Sequence, residues 1–261
     1  MKILFVGDIV GKPGRRAVRE LLPPLVVRHE IDLVIANCEN AAAGFGVTRE
    51  VVDELYQSGI HVLTTGNHVW DKREVLDFIE EYDTLLRPAN YPPGTPGHGT
   101  ILLQTSSGKH VGILNLQGRV FMRPLDCPFR RAESEIATLL ERTRIVIVDF
   151  HAEATSEKIS LGWFLDGRVS AVLGTHTHVQ TADERILKNG TAYMTDVGMT
   201  GPFDSVIGVR KEAILERFLS QMPNKFEVAK DDIRLQGAIL DIDDADGRAR
   251  RIERINCALA S

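Results

Sequence analysis

Short, continuous runs of Val, Ile and Leu recur along the chain, each closed off by glycine or polar residues. They lie at Lys2–Val6, Asp32–Ala36, His61–Thr65, Ile101–Gln104, His110–Leu116, Arg144–Asp149, Ser170–Leu173 and Thr191–Asp196. Apolar runs of this length, continuous rather than alternating, predict strands covered on both faces. Between the early runs the spacing becomes helical. Val18, Leu21, Leu22 and Leu25 recur at three- and four-residue steps within Arg15–Arg28, where Pro23-Pro24 predict a kink or a restart. Val51, Val52 and Leu55 come after Thr48, a residue suited to an N-cap. Asp71, with Glu74 three residues on, predicts a capping box ahead of Val75, Phe78 and Ile79.

Strand–helix alternation in the first part implies a largely parallel sheet. Thr100–Leu116 reads instead as a hairpin turning at Ser106–Lys109, and Gln236–Arg254 as a second hairpin turning near Asp243–Gly247. Parallel units succeeded by antiparallel ones predict an α/β fold of two packed sheets with helices outside. The Pro- and Gly-rich stretch Pro88–Gly99 is expected to be a surface loop. No repeat, low-complexity tract or linker interrupts the pattern, so one domain over residues 1–261 is expected.

Composition narrows the picture. The length of 261 residues fits one large α/β domain as well as two small ones, and contents of 43% apolar and 26% charged residues are those of an ordinary soluble globular protein. A net charge of -5 argues against a stable nucleic-acid partner but allows a small phosphorylated ligand. The first apolar run is broken by Asp8, too early for a signal-peptide core, and no segment nears the roughly 18 apolar residues of a membrane span. A cytoplasmic protein without membrane contact is expected. Cys38, Cys127 and Cys257, odd in number and far apart, suggest reduced, buried thiols.

The chemistry lies in the polar residues that close the apolar runs. FVGDIVGKPGRR, Phe5 to Arg16, has the glycines and lysine of a phosphate loop. It has only three residues between Gly7 and Gly11, however, and Pro13 after Lys12, so a Walker-type loop is excluded. Asp8 stands in its place. Glu39 and Asn40 close the second run, Asn67 and His68 the third, His151 a later one, and His176 with His178 the next. Ligands bind outside the carboxyl ends of strands in open α/β sheets. Five strand ends thus offer carboxylate, amide or imidazole groups to one edge, a set suited to metal ions. The candidates number seven or so even with His68 set aside as a neighbour of Asn67, too many for one ion with an open position. Two ions about 3.5–4 Å apart, bridged by one carboxylate, suit phosphoryl chemistry, and Glu39 is the natural bridge. Strictly extended backbone would point His176 and His178 to the same side, so a turn is expected to send one to each ion.

These residues resemble the calcineurin-like metallophosphoesterases, in Thr65–His68 (TGNH), the lone His151 and Gly174–His178 (GTHTH). Two blocks depart. Val10 stands where a histidine is usual, and Asn37–Asn40 (NCEN) carries Glu39 in place of the bridging aspartate. That combination is similar to the bacterial YmdB-like branch, as are Asp149–Lys158 and Thr195–Pro202.

The resemblance implies a four-layer α/β/β/α sandwich of two packed mixed sheets, a homo-oligomer, and a two-metal hydrolase of cyclic nucleotides, 2′,3′-cyclic ones in particular. Asp8, Glu39, Asn40 and His178 would hold one ion, and Glu39, Asn67, His151 and His176 the other. Amide and carboxylate oxygens with only three histidines favour iron or manganese over zinc or magnesium. A metal-bridging hydroxide would attack, and His68, beside a ligand but not itself one, would act as general acid. A phosphomonoesterase or protein phosphatase on the same site, or a metal-containing regulatory protein with incidental activity, are the alternatives.

Overall fold

The computed structural model describes residues 1–260. Strand β1 (Lys2–Val6) leads through Gly7 into the short β2 (Asp8–Ile9) and helix α1 (Gly11–His29). There follow β3 (Leu33–Asn37), α2 (Arg49–Gln57), β4 (Val62–Thr64), β5 (Leu85–Leu86) and the hairpin β6 (Thr100–Gln104) and β7 (His110–Gln117). Next come α3 (Pro128–Leu140), β8 (Val146–His151), α4 (Thr155–Leu165), β9 (Ala171–Thr175), β10 (Arg185–Ile186), β11 (Ala192–Met194) and β12 (Met199–Pro202). Helix α5 (Lys211–Ser220) and the long hairpin β13 (Ile233–Ile242) and β14 (Ala249–Ala258) complete the chain.

Two mixed sheets form. One runs β2-β12-β13-β1-β3-β4-β5 with β14 added on β13, and the other runs β10-β11-β9-β8-β7-β6. Alternate residues of each strand serve different layers, which is why the runs are continuous. Ile3, Phe5, Leu33 and Ile35 pack against Ile113, Ile147 and Leu173 between the sheets. Leu4, Val6, Val34 and Ala36 face α1 and α2, while Leu114, Leu116, Val148 and Phe150 pack with residues of α3 and α4. This is the expected four-layer α/β/β/α sandwich. No helix among the described residues is long and apolar enough to cross a membrane.

Several local expectations change. Helix α1 continues unbroken through Pro23 and Pro24. The carbonyls those prolines leave unpaired, on Arg19 and Glu20, lie on the exposed face, where water can satisfy them. Thr48 does cap α2, its Oγ1 accepting from Val51 N–H at 3.3 Å. The Asp71/Glu74 capping box does not form. The segment Arg73–Asp77 is a 3₁₀ turn without a side-chain cap, and Glu74 accepts from the Arg49 N–H instead. The stretch from Pro88 begins buried, with Asn90 bonded to the Gln117 and Asp126 carbonyls at 2.8 and 2.9 Å. All three cysteines are free, but only Cys38 is fully buried. Arg250, Arg251 and Arg254 lie exposed on the edge strand β14, each paired with a nearby carboxylate.

Candidate metal centre

The carboxyl ends of β1, β3, β4, β8 and β9 bring every predicted residue to one edge. Gly7 is required there by close approach: a Cβ would sit 2.2 Å from the Gly198 carbonyl oxygen. Asp8, the next residue, is completely buried. Its Oδ2 accepts from the His176 N–H at 3.2 Å, while its Oδ1 is sealed from solvent with no donor among the described residues. A buried carboxylate oxygen without a partner costs free energy unless a cation meets it.

Glu39 is held on both sides. The Asn37 side-chain oxygen accepts from its N–H at 3.1 Å, and its Oε2 accepts from the His68 N–H at 2.9 Å. Its Oε1 lies 3.0 Å from His151 Nε2. Around that same nitrogen stand Asn67 Oδ1 and His176 Nδ1, each also at 3.0 Å. The Thr175 hydroxyl donates to Asp149 Oδ1 at 2.7 Å, so it accepts from His151 Nδ1–H at 2.9 Å. With Nδ1 held in this way, Nε2 is the ring nitrogen that faces the cluster, and it offers a lone pair to a metal once its proton has left. Glu39, His151 and His176 each present a ligand atom within 4.8 Å of the others. Ligands about 2.1 Å from one ion and at right angles would stand about 3.0 Å apart, which is the spacing of each neighbour from His151 Nε2.

On the other side of Glu39, the Asn40 amide lies 3.0 Å from His178 Nε2, and Asp8 Oδ1 lies 3.8 Å from it. His178 Nδ1 donates to the Ile207 carbonyl at 2.9 Å, which again directs the Nε2 lone pair inward. The backbone turns sharply between the two histidines: His176 has φ 105° and His178 φ 62°. The expected turn is present and sends the two rings to different groups of donors.

The charge distribution without a cation fits the same picture. Burial would raise Glu39, but the charge and hydrogen bond of His151 outweigh it and hold Glu39 at about 2. Burial would lower His151, yet Glu39 and then Asp8 raise it to about 9. Burial and the His151 charge push His176 down to about 3, and burial lifts Asp149 to about 7. A proton on His151 thus stands where a cation would. The donor set fits divalent metal ions.

His68 faces the cavity rather than the donor cluster. Its Nδ1 lies 2.7 Å from Asp71 Oδ2, and the Phe45 ring meets it edge-on at 5.0 Å. Sequence reasoning does not find Asp71, Asp149 or Thr175 in these roles. Only the three-residue step from His68 to Asp71 is a usable signal. A buried ion pair that ties down the segment between His176 and His178, Lys158 with Asp196, escapes it entirely, since its partners come from α4 and the segment after β11. The cavity over the centre has a volume of 680 Å³, and its far wall comes from Val206–Val209, α5 and Phe226–Val228.

A family model described as YmdB-like protein matches residues 4–255. A 2′,3′-cyclic-nucleotide 2′-phosphodiesterase of Bacillus subtilis is 52% identical over 255 residues, covering 98% of this chain and 96% of that protein. A putative phosphatase/phosphodiesterase of Mycoplasma genitalium is 35% identical over 264 residues, 99% of this chain and 94% of that one. A hypothetical protein from Thermus thermophilus matches in structure with TM-score 0.92 at 44% identity, over 99% of both chains. A novel phosphatase from Mycoplasma pneumoniae gives TM-score 0.92 at 35% identity, over 99% of this chain and 93% of that one. With a match of this kind over nearly its full length, the chain belongs to the YmdB-like branch of the calcineurin-like metallophosphoesterases.

Proposed function

We propose that the protein is a dinuclear metal phosphodiesterase acting on 2′,3′-cyclic nucleotides. The observation that carries this reading is the gathering of Asn67 Oδ1, His151 Nε2 and His176 Nδ1 on one side of Glu39 and of His178 Nε2 on the other, with the Asp8 Oδ1 buried and unpartnered beside them. Asp8, Glu39, Asn40 and His178 would hold one ion, and Glu39, Asn67, His151 and His176 the other. Iron or manganese suits the mixture of oxygen donors with three imidazoles. When bound, the ions supply Lewis acidity toward phosphoryl oxygens and make water acidic enough to deprotonate near neutral pH.

The chain's own groups do the rest. Only Asp8 and Glu39 bring negative charge among the seven ligands, so a divalent pair leaves the centre positive and attracts a phosphodiester anion. As the P–O bond to one ribose oxygen breaks, that oxygen needs a proton. Protonated His68 gives it from Nε2, while Asp71 holds Nδ1–H and fixes the ring plane. Product is a nucleoside phosphomonoester with a free neighbouring hydroxyl. The homo-oligomeric state implied by the resemblance and the cytoplasmic location expected from the sequence belong to the same reading.

A second reading, phosphomonoester hydrolysis at the same centre, is favoured by the phosphatase names of the Mycoplasma relatives. A panel of 2′,3′-cyclic nucleotides, 3′,5′-cyclic nucleotides, nucleoside monophosphates and a phosphopeptide separates the two, on protein with metals quantified. Fastest turnover of 2′,3′-cyclic nucleotides is expected. Faster release of phosphate from monoesters would overturn the first reading in favour of the second.

A further inference from the structure

The cavity is larger than a cyclic phosphate needs, and its wall away from the metal ligands is not uniformly apolar. It begins at Ile207, whose carbonyl holds His178, and continues along α5 to Arg217 and on to Phe226. Among the described residues, Arg217 is the only lysine or arginine lining it. Its guanidinium carbon lies 4.8 Å from the centre of the Phe226 ring, which sets the plane of the group. Among the described residues no carboxylate lies within ion-pair distance of it. Glu227 in the same wall faces Arg210 at 3.5 Å and Lys225 at 3.6 Å instead. The last turn that carries Arg217 is closed by Gln221, whose N–H donates to the Arg217 carbonyl at 2.9 Å. The same cavity is lined by Val10, Ile207 and Val228, with Phe45 beside His68.

We infer that Arg217 reads a second phosphate, on the 5′ oxygen of a nucleotide whose 2′,3′-cyclic phosphate occupies the metal centre. This rests on the phosphodiesterase reading above. A nucleoside with a free 5′-hydroxyl would leave Arg217 facing only water. A 5′-phosphate offers two oxygens to the planar guanidinium fork, the pairing that group is shaped for. The apolar wall suits ribose and base between the two anionic ends. The same chemistry has two sources. One is a 5′-phosphorylated mononucleotide. The other is the last residue of an oligoribonucleotide, since strand cleavage by attack of a 2′-hydroxyl leaves a 2′,3′-cyclic end whose residue still carries its 5′ phosphodiester. Reactions of that cleavage class would then supply the substrate.

The test uses metal-quantified full-length protein and three substrates: adenosine 2′,3′-cyclic phosphate, its 5′-phosphorylated form, and a tetraribonucleotide ending in a 2′,3′-cyclic phosphate. The expected kcat/KM is about tenfold higher for a substrate with the 5′-phosphate, carried by KM, as for one charge-assisted hydrogen-bonded pair at an open site. That ratio should fall to near one in Arg217→Met and below one in Arg217→Glu, with metal content and Tm held. Arg217 is exposed on α5, so these variants are expected to fold. Preference for the mononucleotide or for the oligonucleotide supports the inference and names the source. Equal turnover of all three by the native protein, or a ratio untouched by Arg217→Met, would overturn this inference alone. No turnover of any of them would overturn it together with the phosphodiesterase reading.

Discussion

Lys158 Nζ lies 2.7 Å from Asp196 Oδ2, with both side chains sealed from solvent beside the His176–His178 turn. The same Asp196 oxygen accepts from the Thr177 N–H at 3.0 Å, and its Oδ1 accepts from the Gly198 N–H at 2.9 Å. Thr177 stands between His176 and His178, whose left-handed backbone is unfavourable for residues with a Cβ. The ion pair thus ties down the one segment where two ligand candidates depend on a strained turn. Asp196→Asn would leave the Lys158 ammonium buried without its counter-charge. We expect a loss of about 3–5 kcal/mol in urea unfolding, with weaker metal retention. A change below about 1 kcal/mol with full metal content would remove that role from the pair.

The Glu39 carboxylate reaches both groups of donors, its Oε1 lying 3.0 Å from His151 Nε2 and 3.5 Å from the Asn40 amide nitrogen. Elemental analysis of protein purified without chelator is expected to give about two transition-metal ions per chain. Glu39→Gln should lose both ions, or leave them uncoupled, and Asn40→Ala should weaken one. If Glu39→Gln retained both ions and full turnover, the bridging assignment would be wrong.

His68 should separate catalysis from metal binding, because it touches Glu39 through its backbone N–H and not through its ring. His68→Ala is expected to keep its metals and lose about 10²–10⁴ in kcat on a ribose leaving group. The loss should be much smaller for an aryl phosphodiester, which departs without a proton. Asp71→Asn should reproduce a weaker form of this pattern, since it alters only the partner of Nδ1. A uniform loss across both leaving groups would point to phosphate binding instead.

Metal uptake should be pH-dependent with a definite sign. In the metal-free protein Glu39 and Asp8 raise His151 to about 9 against the effect of burial. Below that pH the ring carries a proton that must leave before a metal can take the Nε2 lone pair. Affinity for manganese, measured by calorimetry in buffers of different ionisation enthalpy, is therefore expected to rise with pH up to about 9, with release of a proton. Proton uptake on binding would contradict this.

His61 provides a separate pH probe of stability, at the opposite end of β4 from Asn67 and His68. Its Nδ1 accepts from the Val34 N–H at 2.9 Å, so protonation there breaks a link between β3 and β4. Burial depresses its folded pKa below the ordinary 6.5. Its contribution to stability is therefore complete above 6.5 and is lost as pH falls through the depressed value. Urea titrations of His61→Phe should show a flatter dependence across that window than the native chain. An unchanged slope would show that His61 does not titrate on unfolding.

The one-dimensional pattern by itself determined the strands and the edge where chemistry gathers. Runs such as Leu33–Ala36 are apolar at every position because both faces are covered, and each stops abruptly at a polar residue that the strand then delivers to the rim. Asp8, Glu39, Asn67, His151, His176 and His178 were legible for that reason. Tertiary structure alone decided the partners. Asp71 turned from an expected helix cap into the support of His68, because the next segment winds as a 3₁₀ turn and leaves its carboxylate free. Helix α1 tolerated Pro23 and Pro24 because packing put their unpaired carbonyls on the wet face. Asp149, Thr175, Lys158 and Asp196 acquire their roles only through contacts between strands and helices far apart in the chain. Such contacts leave no period or spacing to read, since hydrogen-bond geometry across a sandwich depends on how its layers pack rather than on any local stretch of sequence.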